Sequence, residues 1–327
     1  MAKNQTQNQP SPSSNAGRYQ NRFTQDQHGL FDALKWLWGS RSRLFGFVPP
    51  VFEKKMPDVA FLKQNREAAT ATWIGHATYL LQWGGLNVIT DPHLTRYASP
   101  LPSKLLQRHA PLGLDFQELP ALDIALVSHD HYDHLDASTV KRLRKDQPNI
   151  HWVCAKGLKH WFGEKCTELD WWESINIGET LITAVPVQHF SGRGLRRNQT
   201  LWCGFVVEHA HKGVKKQVFF AGDTGYSADF AEIYQKHGAM DLCLLPIGAY
   251  EPRWFMKDMH VNPEDAVKIH QDLHSQQSLA MHWGTFRLTE EPMDEPPQQL
   301  TVALQAAGLD SAAFQVLQHG ETVFWNR

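Results

Sequence analysis

Ser128-His129-Asp130-His131-Tyr132-Asp133-His134 is the stretch that decides how this chain is read. Three imidazoles and two carboxylates fall within six positions, directly after an apolar run of strand length, Leu122–Val127. Crowding ionisable groups at the end of a buried strand costs desolvation energy unless something satisfies them. A divalent cation does so, and imidazole with carboxylate suits Zn²⁺, with Fe or Mn as competitors. A spacing of two lets His129 and His131 point to one side of an extended strand exit. Asp133 and His134 lie on the following turn and can face a second ion. One such cluster offers at most about four ligands, so two ions need help from other strand ends. His189 follows the strand-like segment 180–187, Asp223 follows 217–221 in Phe220-Ala221-Gly222-Asp223-Thr224-Gly225, and His282 follows 279–281. Taken alone, a Gly-Asp turn or a hydrogen-bonded core histidine explains Asp223 or His282 as well as ligation does. Beside the cluster, ligation becomes the better account of both.

The β pattern begins at Ala71. Thr72–Ile74 and Tyr79–Trp83 read as short strands, and Gly84-Gly85 supplies a hairpin turn where glycine accepts positive φ. Leu86–Thr90 returns as a strand that ends at Asp91-Pro92, and a proline-containing loop covers 97–120. Further strands are expected at Ile150–Cys154, Thr180–Val185, Phe205–Glu208, Gln217–Ala221, Asp241–Leu245, Leu279–Met281, Phe314–Leu317 and Thr322–Phe324. Asn262-Pro263-Glu264-Asp265 predicts a helix start, with an N-cap residue, proline in the first turn and acids at the positive dipole end. That helix should run to about Leu273. The alternation suggests two packed sheets with helices outside.

Composition bounds the function. The chain has 327 residues, 42% hydrophobic and 20% charged, as expected of one large α/β unit with a real core. A formal net charge of −2 removes the simplest argument for nucleic-acid binding. Cys154, Cys166, Cys203 and Cys243 form no Cys-x-x-Cys pair, which argues against a zinc knuckle and fits a reduced, cytoplasmic protein. No signal-peptide h-region and no transmembrane-length apolar run is visible.

Three regions are expected: a disordered polar tail over 1–29, an aromatic and basic arm over 30–60, and a catalytic domain over 61–327. Within the arm, residues 30–52 carry Trp36, Trp38, Arg41, Arg43, Phe45 and Phe47. They read either as a peripheral membrane contact or, on the base rate for apolar residues, as an arm packed across the domain.

The order of these residues resembles the metallo-β-lactamase superfamily, whose signature is His-x-His-x-Asp-His. The likeness goes further. Thr72-Trp73-Ile74-Gly75-His76-Ala77-Thr78, Asp91-Pro92, the 220–226 and 246–256 stretches, His260-Val261-Asn262-Pro263-Glu264 and His282-Trp283-Gly284-Thr285-Phe286 resemble N-acylphosphatidylethanolamine-hydrolysing phospholipase D and its bacterial relatives. It covers roughly residues 45–327.

The resemblance implies a four-layer αββα sandwich of mixed α/β class and two Zn²⁺ per chain. It implies that His129, His131 and His189 hold one ion, that Asp133, His134 and His282 hold the other, and that Asp223 bridges them. It also implies a phosphodiester, most simply a phospholipid cleaved to N-acylethanolamine and phosphatidic acid. Asp133, besides ligating, would hold the attacking water. His260 or Tyr250 would bind or protonate the substrate. Arg193, Arg196 and Tyr132 are candidate substrate contacts at the site mouth, against the plain alternative of a solvated charged loop. Asp91 and Asp130 are candidates to orient imidazoles. A homodimer is compatible with all of this. The competing functions are a metal-dependent lactonase or another phosphodiesterase of the same fold, and a non-catalytic lipid-binding protein.

Overall fold

The computed structural model describes residues 17–24, 47–194 and 197–325. The greater part of the aromatic and basic segment, residues 30–46, lies outside the described residues, as does Arg196.

A short helix, α1 (Val59–Gln64), precedes the first sheet. It starts at Val59, so a boundary drawn between 60 and 61 would cut it. β1 (Thr70–Gly75), β2 (Thr78–Trp83) and β3 (Leu86–Thr90) form an antiparallel meander. Gly84 and Gly85 make its second turn with φ of 56° and 85°, the doubly positive geometry that a two-residue hairpin favours. β4 (Ile124–Val127), β5 (His151–Ala155) and β6 (Cys166–Leu169) add on in parallel. The last described strand, β14 (Thr322–Phe324), returns to pair with β1, giving the order β14-β1-β2-β3-β4-β5-β6.

The second sheet has the order β13-β12-β11-β10-β9-β8-β7. It comprises β7 (Ser174–Ile177), β8 (Thr180–Val185), β9 (Gly204–His211), β10 (Val214–Phe220), β11 (Leu242–Pro246), β12 (Gln277–Met281) and β13 (Phe314–Gln315). β7 to β10 are antiparallel, and β10 to β13 are parallel. β6 and β7 were not foreseen from sequence. Both are short, mix polar with apolar positions and sit at sheet edges, where one-sided burial relaxes the apolar requirement.

β1 to β4 and β11 are buried at every position, as strands covered on both faces should be. The two sheets meet through one continuous core containing Trp73, Tyr79, Phe205, Phe219 and Phe220. The Tyr79 hydroxyl on β2 donates to the Ala280 carbonyl on β12 at 2.8 Å, a direct tie between sheets. The helices α2 (Ala137–Asp146), α3 (Asp229–His237), α4 (Arg253–Met256), α5 (Pro263–Asp272) and α6 (Pro296–Ala307) complete the mixed α/β sandwich. α5 begins as its sequence predicts: Asn262 Oδ1 accepts from the Asp265 amide at 3.0 Å, with Pro263 opening the helix.

Pairing directions settle where chemistry can gather. In the first sheet β1, β3 and β4 run the same way. In the second, β8, β10, β11 and β12 share a direction. The carboxyl ends of all these strands deliver the side chains described next.

Residues 17–24 differ from expectation. They fall in the stretch read as a disordered tail, yet they lie docked on the domain: Arg22 pairs with Asp229 and Glu232, each at 2.7 Å. Specific polar partners on the domain surface, invisible to composition, hold them there.

Candidate metal centre

Each cluster residue leaves a strand end. His129, His131, Asp133 and His134 follow β4, His189 follows β8, Asp223 follows β10 and His282 follows β12. These seven side chains, drawn from four strand ends, converge. Ligand atoms of His129, His131, His189 and Asp223 lie within 4.8 Å of one another, as do those of His76, Asp133, His134 and His282. Asp223 belongs to both neighbourhoods. Its Oδ2 is 3.1 Å from His134 Nε2 and 3.6 Å from His189 Nε2, while its Oδ1 is 3.0 Å from His282 Nε2.

His76, which the sequence offers only as part of a motif, stands in the cluster. Its Nε2 is 2.9 Å from Asp133 Oδ2. The signal that found the others, a histidine just past a strand, was present here after β1. It was masked because the chain turns back at once into β2. The backbone is left-handed at His76 (φ 55°), Asp91 (φ 29°) and His282 (φ 63°). For non-glycine residues that conformation costs on the order of 1–3 kcal/mol each and collects at functional sites.

Partners outside the cluster fix which nitrogen of each ring faces inward. His189 Nδ1 donates to the Met259 carbonyl at 2.8 Å, so its Nε2 carries a lone pair in the neutral ring. His134 Nδ1 donates to Asp91 Oδ2 at 2.6 Å, with the same result. The Ser128 hydroxyl donates to Asp91 Oδ2 at 2.6 Å, so towards His129 Nδ1, 2.8 Å away, it can only accept. His129 Nε2 is then a lone pair too. Asp91, itself fully buried, takes the Ser128 amide on its other oxygen at 2.7 Å. Of the two residues expected to orient imidazoles, Asp91 does so. Asp130 does not: its carboxylate accepts from the Gly192 amide and the Thr200 hydroxyl and organises the loop beyond His189.

The inward lone pairs outnumber the protons available to them. His129 Nε2 and His189 Nε2 both face His131 Nδ1, at 2.9 and 3.2 Å, and one N–H cannot serve both. His134 Nε2 faces His282 Nε2 at 3.2 Å and two carboxylates. The Nδ1 atoms of His76, His260 and His282 are buried without a hydrogen-bond partner. An excess of buried acceptors of imidazole and carboxylate type is what divalent cations satisfy, so the residues fit the metal that the sequence implies.

Protonation follows the same logic. Burial pushes His131 down to about 4 and His189 to about 3, so both are neutral near pH 7. For His282, burial works downward, but Asp223 and Asp133 win and hold it up at about 9. For His134 burial again opposes, and the same two carboxylates hold it well above an ordinary imidazole. Burial would raise Asp133 and Asp223, yet their imidazole neighbours keep both well below the usual carboxylate range. The two carboxylates thus favour positive charge at this end of the cluster, as suits a site for a cation.

The expected substrate residues divide. His260 stands at the cluster: its Nδ1 is 3.9 Å from Asp223 Oδ2, its ring is 4.9 Å from that of His189, and burial pushes it down to about 3. Tyr250 does not. Its hydroxyl donates to Glu295 Oε1 at 2.7 Å, and it lines a cavity of about 350 Å³ beside Asn262, Glu264 and Gln299. Arg193 is not a free cation at the mouth. Its guanidinium donates to the backbone carbonyls of Asp130 and Leu135 and lies over the rings of Tyr132 (4.3 Å) and Trp161 (4.9 Å). Arg193 and Tyr132 together brace the 129–135 loop. Among the described residues, no helix is long and apolar enough to cross a membrane.

A family model for the β-lactamase superfamily domain matches residues 86–283. The chain is 39% identical over 274 residues to the N-acyl-phosphatidylethanolamine-hydrolyzing phospholipase D 1 of Caenorhabditis elegans, covering 77% of this chain and 74% of that protein. It is 35% identical over 257 residues to the mitochondrial N-acyl-phosphatidylethanolamine-hydrolyzing phospholipase D of Saccharomyces cerevisiae. There it covers 74% of this chain and 53% of the relative, about half its length. A metallo hydrolase from the archaeon Ignicoccus hospitalis shares the fold, with a TM-score of 0.58 at 21% identity over 80% of this chain and 99% of that one. A strand-end cluster of imidazoles and carboxylates, a matching family model and a relative at 39% identity agree: the chain belongs to the metallo-β-lactamase superfamily and is a metal-dependent hydrolase.

Proposed function

We propose that the chain hydrolyses a phosphodiester with two divalent cations, Zn²⁺ first among the candidates, and that its substrate is an N-acylated phosphatidylethanolamine-type lipid. The observation that carries this reading is the convergence of imidazole lone pairs on two neighbouring points that share Asp223. His129, His131 and His189 would hold one ion, and Asp133, His134 and His282 the other. Asp223 faces both. When bound, such ions lower the pKa of water and neutralise charge on a phosphoryl oxygen.

The protein's own groups do the rest. Asp133 is the more open carboxylate, its side chain 14% exposed against 2% for Asp223. It holds and orients the attacking water by hydrogen bond, while His76 fixes its other contacts. His260, neutral near pH 7, donates a hydrogen bond to the phosphoryl or leaving oxygen from its place beside Asp223. Asp91 and Met259 keep the rings of His134 and His189 from turning. The names of the nematode and yeast relatives support the lipid; attack at phosphorus then leaves phosphatidic acid and releases the N-acylethanolamine. A peripheral membrane contact through 30–52 suits that substrate.

The test is incubation of the zinc-loaded chain with N-acyl phosphatidylethanolamine in mixed micelles, followed by mass spectrometry. Release of N-acylethanolamine with phosphatidic acid, abolished by a chelator and restored by metal, is expected. Metal-dependent turnover of a generic phosphodiester with none of the lipid at any detergent level would sink the substrate and leave the chemistry. A chain that takes up no metal would sink both.

A further inference from the structure

The N-terminal segment 19–24 is fastened to the backbone of one cluster residue by a set of contacts that the hydrolytic reading does not use. The Asn21 side chain faces the His189 peptide at both polar ends. Asn21 Nδ2 donates to the His189 carbonyl at 2.8 Å, and the His189 amide donates to Asn21 Oδ1 at 3.0 Å. A carboxamide presents donor and acceptor as a peptide group does, so Asn21 stands in for the next strand of a ladder. The neighbouring positions extend the seam. Thr24 Oγ1 donates to Gln188 Oε1 at 2.8 Å, and the Tyr19 amide donates to the Asn198 carbonyl at 2.8 Å. On its other side the 188–189 backbone is held by the Gly225 amide, which donates to the Gln188 carbonyl at 2.7 Å two residues beyond Asp223. His189 therefore leaves β8 clamped between the Asp223 loop and the N-terminal segment.

The seam is built in, because the domain depends on it for a charge. Asp229 at the start of α3 is 2% exposed, and burial pushes its carboxyl up. Ser227 and Arg22 are its polar partners, and Arg22 also reaches Glu232 at 2.7 Å. A carboxylate buried that deeply without a cation is costly, so Asp229 is a socket for Arg22. Asn21 lies one residue from that anchor.

We propose that Asn21 is a positioning residue for the metal centre, holding the His189 backbone so that Nε2 meets its ion, and that Arg22 with Asp229 is the anchor that keeps it there. This rests on the assignment of His189 as a metal ligand. Removing partners that orient a ligand typically weakens metal affinity about 10–100-fold. The centre would thus be complete only while this segment, far from it in sequence, is docked.

The experiment uses the full chain, loaded with Zn²⁺ and titrated against a chromophoric chelator at a temperature where every variant is folded, together with the visible absorption of the Co²⁺ form. Asn21→Ala should weaken one of two ions by about tenfold or more and shift the Co²⁺ bands. Thr24→Ala, which breaks a contact on the same segment without touching His189, should leave both unchanged. A purely structural role would lower Tm while leaving chelator competition and Co²⁺ spectrum as in the parent. That outcome, with the parent binding two ions, overturns the positioning role and spares the metal assignment. A parent that binds neither ion overturns both. Should Asn21→Ala fail to fold, Arg22→Lys keeps a charge beside Asp229 but gives up the second ion pair. It should weaken the same ion to a smaller degree, and unchanged affinity there overturns the proposal equally.

Discussion

Three imidazoles in this site have their inner nitrogen chosen by an outer partner: Asp91 for His134, Met259 for His189, Ser128 for His129. Asp91 has the widest reach, since its two oxygens also hold the Ser128 amide and hydroxyl. Asp91→Asn keeps the size but offers only one acceptor oxygen for three donors. Metal affinity should fall about 10–100-fold, as measured by chelator competition, with folded structure retained. His260 and Tyr250 make a second comparison. His260 stands beside Asp223, and Tyr250 gives its hydroxyl to Glu295. His260→Ala should lower kcat by about 10²-fold with little change in metal content, whereas Tyr250→Phe should leave kcat within about twofold. The reverse ranking in steady-state kinetics would return Tyr250 to the chemistry. The clustering of the proposed ligands was readable in the chain because each is a titratable residue just past a strand. His76 escaped because it sits in a tight turn between two strands, where a histidine looks like turn chemistry. Arg193 differs in the opposite sense: a basic residue in a glycine-rich loop suggests a ligand cation, but its guanidinium donates to the carbonyls of Asp130 and Leu135 and lies over the rings of Tyr132 and Trp161.

At the scale of elements, close backbone approaches aim the strand-end loops. Gly248, just beyond β11, faces the loop that carries His282. A Cβ there would lie 2.3 Å from the His282 carbonyl oxygen, a contact no rotamer can relieve. Gly248→Ala should therefore push His282 out of line, destabilising by roughly 1–3 kcal/mol and lowering metal content per folded chain. Thermal unfolding and elemental analysis of the same sample check the two effects, and full metal content would show that the loop has room to yield. β4 and β11 were legible because they are unbroken apolar runs, while β1 to β3 were legible from short β-rich stretches set off by glycine turns. β6 and β7 were not, because an edge strand with one wet face needs no unbroken apolar run. The docked segment 19–24 was hidden for a different reason. Its polar residues pair with Asp229 and with the His189 backbone, which lie 207 and 168 positions away, and nothing local announces that.

For the whole molecule, buried histidines contribute to the response to acid. Burial holds His319 down at about 3 and His93 at about 4. Both are neutral in the fold, while in the unfolded chain they take up a proton near 6.5. Their contribution is complete above pH 6.5 and is lost as pH falls from there towards 4 and then 3. Each steepens the decline by at most about 1.4 kcal/mol per pH unit. Urea unfolding between pH 7.5 and 4.5 should show midpoints falling with acidity, and His319→Gln should flatten the slope. A slope unchanged by that substitution would mean that His319 is not what the acid finds.

The return of β14 to the first sheet has a bearing on synthesis. Thr72 on β1 meets its partner Thr322 across 250 positions, hydroxyl to hydroxyl at 2.8 Å. A ribosome adding roughly 5–20 residues per second takes on the order of 10–50 s to travel that distance. Throughout that interval β1 has emerged with one edge bare, while the strands that bring His189, Asp223 and His282 are still arriving. An unpaired strand edge invites pairing with other chains. The nascent protein therefore spends its most exposed period without either the closing strand or the complete cation site. A premature stop a few codons before Thr322 would make that exposure permanent, in a chain that already carries every residue of the cluster.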